Sequence, residues 1–245
     1  MNTKSASPVD PPVVDPAAPA ELSKVLVWDA PVRVFHWLMV LSFAGAYLTA
    51  ESERWRMVHV TLGYTMAGLV AFRLVWGLVG TRHARFASFV RGPRAVVGYL
   101  RGLLRGKAET SAGHNPLGAL AIVALLGMTA VVTAAGWATY NEVGGDWIEE
   151  LHEGAANVML AIVGVHVAGV FLSSWLHRDN LVGAMVTGRK LGRPEDGVSR
   201  AWRSVAVVML AAVLGFWWSQ WHAAPVPGAA VSGTESSRDR DRDED

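Results

Sequence analysis

Residues 151–176 read LHEGAANVMLAIVGVHVAGVFLSSWL. No formally charged residue lies between Glu153 and Arg178, and two histidines, His152 and His166, stand fourteen positions apart. At about 100° and about 1.5 Å per residue, fourteen positions bring a helix to within about 40° of the same face, about 21 Å further along. The run is long and apolar enough to cross a bilayer whose hydrocarbon core is about 30 Å thick. On such a helix His152 lies near one surface and His166 well into the opposite half. Ionisable residues inside membrane helices are costly, so they are functional by default and call for named partners.

The rest of the chain has the same character. Of its 245 residues 51% are hydrophobic, the mean hydropathy is +0.27, and there are eleven tryptophans, a residue that gathers at membrane–water interfaces. The net charge of +1 gives no argument for nucleic-acid binding. There is no cysteine, which excludes disulfides, thiolate metal sites, iron–sulfur clusters and covalent c-type haem attachment.

Four further apolar segments accompany the one quoted: Val34–Ala50 with His36, Val58–Thr81 with His59 and Arg73, Leu117–Trp137, and Ser204–Trp221. The expectation is an all-α integral membrane protein, a four-helix transmembrane bundle followed by a fifth transmembrane helix. Residues 1–23, rich in Pro and Ala, read as a disordered cytoplasmic arm, with the first segment doubling as an uncleaved signal anchor. Residues 24–190 form the membrane domain, 191–222 a linker and the fifth helix, and 223–245 a disordered charged tail.

Orientation follows from Lys and Arg near the segment ends. The connection 82–116 carries seven basic residues against one acid, Glu109, and the connection 177–203 carries six basic residues. The connection 138–151 has no Lys or Arg but holds Glu142, Asp146, Glu149 and Glu150. The N-terminus is therefore expected inside and the C-terminus outside. Within the first basic connection, Phe89–Lys107 spaces arginines among apolar residues as an amphipathic helix in the headgroup layer would, although an ordinary basic loop satisfies the same rule. Asn115-Pro116 reads as a helix cap followed by Pro in the first turn.

With this topology, depth pairs His36 with His166 towards the cytoplasmic side and His59 with His152 towards the outer side. Two histidine pairs at two depths suit two haems, which without cysteine must be b-type and held by side chains. Two imidazoles on opposite haem faces leave no open coordination site, favouring electron transfer over oxygen binding. Arg73 lies fourteen positions after His59, at the depth of the inner pair, where a haem propionate would partner its guanidinium; snorkelling to the interface is the alternative. Arg33, one turn before His36, is a weaker candidate for the same role. His83, His114, His177 and His222 read as interfacial or solvated.

Several motifs are familiar. Trp28-Asp29-Ala30-Pro31-Val32-Arg33 with His36-Trp37 resembles the opening of the bacterial cytochrome b561 / nickel–iron hydrogenase b-subunit family. Met57-Val58-His59-Val60 with Gly63 resembles its second-helix motif. Glu150-Leu151-His152-Glu153 with Gly164-Val165-His166 resembles its fourth-helix pair, and Met185, Gly188 and Lys190 resemble the residues that close its domain. The resemblance spans roughly residues 24–190 and fills all four expected ligand positions. It implies a bundle holding two b haems in the bacterial cytoplasmic (inner) membrane, passing electrons between a periplasmic redox partner and membrane quinone. Partners in the family include hydrogenase-like dehydrogenases and c-type cytochromes.

Three functions compete. The first is that diheme electron conduit, with the acidic 138–151 connection steering a basic partner. The second is a superoxide:ubiquinone oxidoreductase, which the acidic outer loop disfavours because the substrate is an anion. The third is a non-redox membrane scaffold, which leaves the histidines unexplained.

Overall fold

The computed structural model describes residues 22–90, 92–105, 113 and 115–223. The expected N-terminal arm and C-terminal tail fall outside them, apart from Leu22, Ser23 and Ala223. In chain order the elements are strand β1 (Ser23–Leu26) and helices α1 (Ala30–Thr49), α2 (Arg56–Val79), α3 (Phe86–Phe89), α4 (Pro93–Leu104), α5 (Pro116–Tyr140), α6 (Asp146–His177) and α7 (Leu181–Thr187). Strand β2 (Arg189–Gly192) and helix α8 (Arg203–Ala223) complete the fold. Among the described residues five helices, α1, α2, α5, α6 and α8, are long and apolar enough to cross a membrane. The chain is an all-α, multi-pass membrane protein.

Helix ends follow local chemistry. Asn115 Oδ1 accepts from the Gly118 N–H at 2.7 Å with Pro116 in the first turn, so α5 begins where the Asn-Pro pair predicts. Asn180 Oδ1 caps α7 in the same way through the Gly183 N–H. α6 follows Gly144 and Gly145, both at positive φ (+95° and +78°), and opens with Asp146 and Glu149 in its first turn, where carboxylates complement the exposed amide dipoles. Its 32 residues span about 48 Å, so its acidic first turns extend past a hydrocarbon core of about 30 Å.

The start of α1 is fastened to the end of α2 by one carboxylate. Asp29 Oδ1 accepts from the Val32 N–H at 2.9 Å and so caps α1. Its Oδ2 accepts from Trp76 Nε1–H at 3.1 Å and from the Thr81 hydroxyl at 2.7 Å. Asp29 is 1% exposed; its burial is tolerable because each oxygen is satisfied by donors.

α1 and α2 pack together, α5 and α6 pack together, and α2 joins the two pairs through α5. The four helices converge on a cluster of Met66, Val132, Ala155 and Met159, with Met39 and Phe43 of α1 against it. α8 lies outside this group against α1, burying Met209 with Leu38 and Leu69. Trp217 Nε1–H donates to Thr65 Oγ1 at 2.9 Å and ties α8 to α2 as well.

On the side where α1 begins, β1 and β2 pair antiparallel with Ser23 opposite Gly192 and Leu26 opposite Arg189. These four-residue strands add to the helical expectation; neither is long enough to show an alternating pattern. The Val27 and Trp28 amides both donate to the Gly188 carbonyl, and Gly188 itself holds φ +80° with Trp28 O only 2.5 Å from where a Cβ would sit. Lys190 pairs with Asp179 at 3.1 Å. The expected amphipathic stretch 89–107 contains α4, seated against α5.

Asp29→Ala strips acceptors from three buried donors and removes a helix cap. It is expected to cost about 3 kcal/mol, against about 1 kcal/mol for Thr81→Val. Thermal unfolding of both variants in detergent checks this order; two melts indistinguishable from the native one would show that the carboxylate fastens nothing.

Candidate functional site

One half of the bundle brings two histidines from different helices together. His59 on α2 points its Nδ1 at the Ala46 carbonyl of α1, 2.8 Å away. His152 on α6 points its Nδ1 at the Val132 carbonyl of α5, 2.9 Å away. A carbonyl only accepts, so in both rings Nδ1 carries a proton, and Nε2 is the nitrogen left to face a ligand. The two ring centroids lie 6.0 Å apart with planes at 81°. Two nitrogen–metal bonds of about 2 Å plus two ring radii make up a spacing of this order. A hydrogen-bonded Nδ1–H also fixes ring orientation and raises the basicity of the ligating nitrogen.

Local structure explains why these carbonyls are open to a side chain. In a helix each Cβ tilts towards the N-terminus, over the turn before it, so the residue four places after Val132 crowds its carbonyl. That residue is Gly136, where a Cβ would stand 2.7 Å from His152 Cε1 and 2.9 Å from its Nδ1. At Ala46 the helix is ending. The Ala50 amide turns to the Tyr47 carbonyl, leaving Ala46 O to His59 and to the Thr49 hydroxyl at 3.2 Å.

The other two histidines are His36 on α1 and His166 on α6. The residues flanking His36 lean on α7. Arg33 Nη1 donates to the Val186 carbonyl at 2.6 Å and Trp37 Nε1 to the Met185 carbonyl at 3.3 Å. The Trp37 ring stands edge-on to His36 with centroids 5.2 Å apart. Arg73 is 3% exposed, its guanidinium 4.6 Å above the Phe86 ring. It is therefore packed inside the protein instead of snorkelling outward.

Among the described residues, four buried side-chain atoms have no hydrogen-bond partner: Arg33 Nε, His36 Nδ1, Ser42 Oγ and Arg73 Nη1. Buried polar groups are almost always satisfied. Two guanidinium donors and an imidazole around one end of α1 and α2 suit a ligand that brings acceptors of its own. Among the described residues no three His, Asp or Glu side chains converge. Paired imidazoles suit a metal carried in a macrocycle, which supplies the remaining donors, better than a bare ion.

Burial corrects one expectation. His83 is 8% exposed, with Nε2 2.8 Å from the Asp196 carbonyl and its ring 6.4 Å from that of Trp28, so it is packed inside the protein and not solvated. The polypeptide after β2 folds back over it, a contact across more than a hundred residues. His222 is exposed at the end of α8, beside Trp218, and His114 lies outside the described residues. Sequence reasoning assigned nothing to Gly136 or to the Ala46 and Val132 carbonyls. A glycine inside an apolar helix, costing up to about 1 kcal/mol relative to Ala, was the available signal for Gly136.

Fold and site together define a class: a helical membrane bundle presenting imidazoles from different helices to one another in its interior. Residues 27–188 match the model of the prokaryotic cytochrome b561 family, and the chain belongs to that family. It is a b-type cytochrome of electron transport, and the family implies haem b. The chain is 28% identical over 214 residues to a probable Ni/Fe-hydrogenase B-type cytochrome subunit of Azotobacter vinelandii, covering 68% of this chain and 88% of that one. It is 24% identical over 222 residues to a protein of the same description from Rhizobium leguminosarum bv. viciae, covering 72% and 92%. To the probable Ni/Fe-hydrogenase 1 B-type cytochrome subunit of Escherichia coli (strain K12) it is 27% identical over 143 residues, covering 47% and 60%. No solved structure matches the chain.

The Gly136 contact makes a direct prediction. Gly136→Ala drives a methyl into His152 and is expected to destabilise the protein by about 1–3 kcal/mol. Gly127→Ala, on the same helix with open space beside it, is expected to be neutral or slightly stabilising. Paired melting curves read the difference, and equal behaviour would show that the ring is not seated against Gly136.

Proposed function

We propose that this protein is a diheme b-type cytochrome that transfers electrons between a periplasmic redox partner and membrane quinone. The observation that carries the reading is the His59–His152 pair, two imidazoles 6.0 Å apart, each with its Nδ1–H on a backbone carbonyl. Haem b, when bound, supplies reversible one-electron chemistry at iron. His59 and His152 would hold the outer group and His36 and His166 the inner one. Two histidines for each group would leave no ligand position free for a small molecule. Arg73, with a buried unpartnered Nη1, would donate to an inner propionate. Arg33 has given one nitrogen to Val186 and keeps Nε for the same purpose.

The bundle interior between the two levels is apolar and rich in methionine. Met66 lies seven residues after His59 and Met159 midway between His152 and His166, both 2% exposed. These side chains exclude water from the space between the sites. The haem-binding unit is proposed as residues 24–190, in a bacterial cytoplasmic membrane with the N-terminus inside and the C-terminus outside, as the Lys and Arg distribution favours.

The relatives' descriptions make a hydrogenase-like dehydrogenase one candidate partner and a c-type cytochrome another; nothing in the charge distribution argues for nucleic acid. Glu142, Asp146, Glu149 and Glu150 are all exposed beside the start of α6 and present a docking surface for a cationic partner. The same surface repels superoxide, which places the superoxide:ubiquinone reading second.

A reduced-minus-oxidised spectrum with pyridine haemochrome quantification tests the ligand assignment. About two b haems per chain are expected for the native protein and about one for His166→Ala or His152→Ala. An unchanged haem count in the variants would refute the ligand map. Neutralising Glu142, Asp146, Glu149 and Glu150 together is expected to slow reduction by a cationic partner several-fold at low salt and to flatten its salt dependence. Rates and salt dependence equal to the native protein's would remove the docking surface from the proposal.

A further inference from the structure

α4 has no part in the haem site, yet its surface is sharply divided. At about 100° per residue, Arg94, Arg101 and Arg105 fall within an arc of about 40°, and Gly98 lies on the same side. All four are exposed, whereas Val96 and Tyr99 on the other side are half-buried. Arg94 and Arg101, two turns apart, flank a shallow groove floored by Gly98 and edged by Val97. Nothing stands within 4 Å of where a Cβ on Gly98 would be, so a ligand can approach the helix backbone between the two guanidiniums.

No acid occurs anywhere in residues 86–108, so the segment brings no carboxylate of its own to neutralise these arginines. α4 rests against α5, a membrane-spanning helix, and is separated from the end of α2, another, only by the short helix α3 and its flanking turns. It therefore lies where the bundle meets the lipid headgroups. Guanidinium forks match phosphate oxygens, and an amphipathic helix with a basic polar face lies in the interfacial plane.

We infer that Arg94 and Arg101, across Gly98, form a binding site for the phosphate of an anionic phospholipid headgroup, and that α4 lies in the headgroup layer with its Val96 face towards the acyl chains. The site fastens the long connection between α2 and α5 to the bilayer and is independent of the haem assignment.

The test uses the full-length protein in detergent, followed by native mass spectrometry with phosphatidylglycerol, phosphatidylcholine or inorganic phosphate added. The native chain should retain phosphatidylglycerol several-fold over phosphatidylcholine. The double variant Arg94→Gln/Arg101→Gln should lose that preference with its melting temperature unchanged. Equal retention of both lipids, or a preference that survives in the double variant, overturns the site. Displacement of the lipid by millimolar inorganic phosphate shows an adventitious ion site and overturns it too. A second measurement exploits the absence of cysteine. In phosphatidylglycerol vesicles Gly98→Cys should react with a water-soluble maleimide while Val96→Cys is protected. Equal reactivity at both positions would show that α4 does not lie in the headgroup layer.

Discussion

The buried carboxylate of Asp29 is the interaction on which the axial arrangement of this bundle depends. A helix pair in lipid gains little from sliding one way or the other, because side-chain packing against apolar neighbours varies smoothly and lipid tails are as apolar as the helices. A carboxylate that must satisfy the amide of Val32, the indole of Trp76 and the hydroxyl of Thr81 at once allows one stagger only. That stagger brings the start of α1, where Arg33 and His36 lie, to the end of α2 that carries Arg73, one turn before Trp76. It also leaves the far end of α1 level with His59, so the Ala46 carbonyl is there to receive the imidazole.

A second constraint acts on the imidazoles. A ring held only by packing could present either nitrogen to the interior. Hydrogen-bonding Nδ1 to a main-chain carbonyl removes that choice without a second ionisable group, an economical solution where a partner carboxylate would have to be desolvated. The cost is paid in helix regularity: α1 ends just where Ala46 is needed, and α5 accepts a glycine in its interior. His36 is held differently. His36 is steadied by neighbours, with Arg33 and Trp37 hooked to the carbonyls of α7, so α7 and the β1–β2 ribbon beside it serve as the brace for that end.

The periodicity of the site residues ties these ends together. His59, Met66 and Arg73 on α2, and His152, Met159 and His166 on α6, recur at intervals of seven, and seven residues fall about 20° short of two full turns. Each series thus stays on one inward face over about 21 Å, with a methionine at the midpoint where α1, α2, α5 and α6 converge. Methionine suits that position because its flexible, polarisable side chain fills irregular gaps between helices. α8 contributes to neither series; it buttresses α1 and α2 from outside through Met209 and Trp217.

Much of this was legible in the residues taken one stretch at a time. Hydropathy, helix caps and the Lys/Arg distribution are local or additive properties, so the five spans, the Asn115 cap, the helical tendency of the basic connection and the histidines worth attention could be read directly. Depth matching rests on a related reason: a membrane converts sequence position into height. What the sequence did not disclose are contacts between stretches far apart along the chain. Asp29 gripping Trp76 and Thr81, His83 covered by the turn at Asp196, β1 paired with β2, and Gly136 clearing space for His152 all depend on which faces meet. The residues alone thus determined the class of protein and its spans, and singled out the side chains to examine. Only the tertiary structure decided how those side chains are oriented, because a hydrogen bond to a distant carbonyl leaves no pattern in the stretch that makes it.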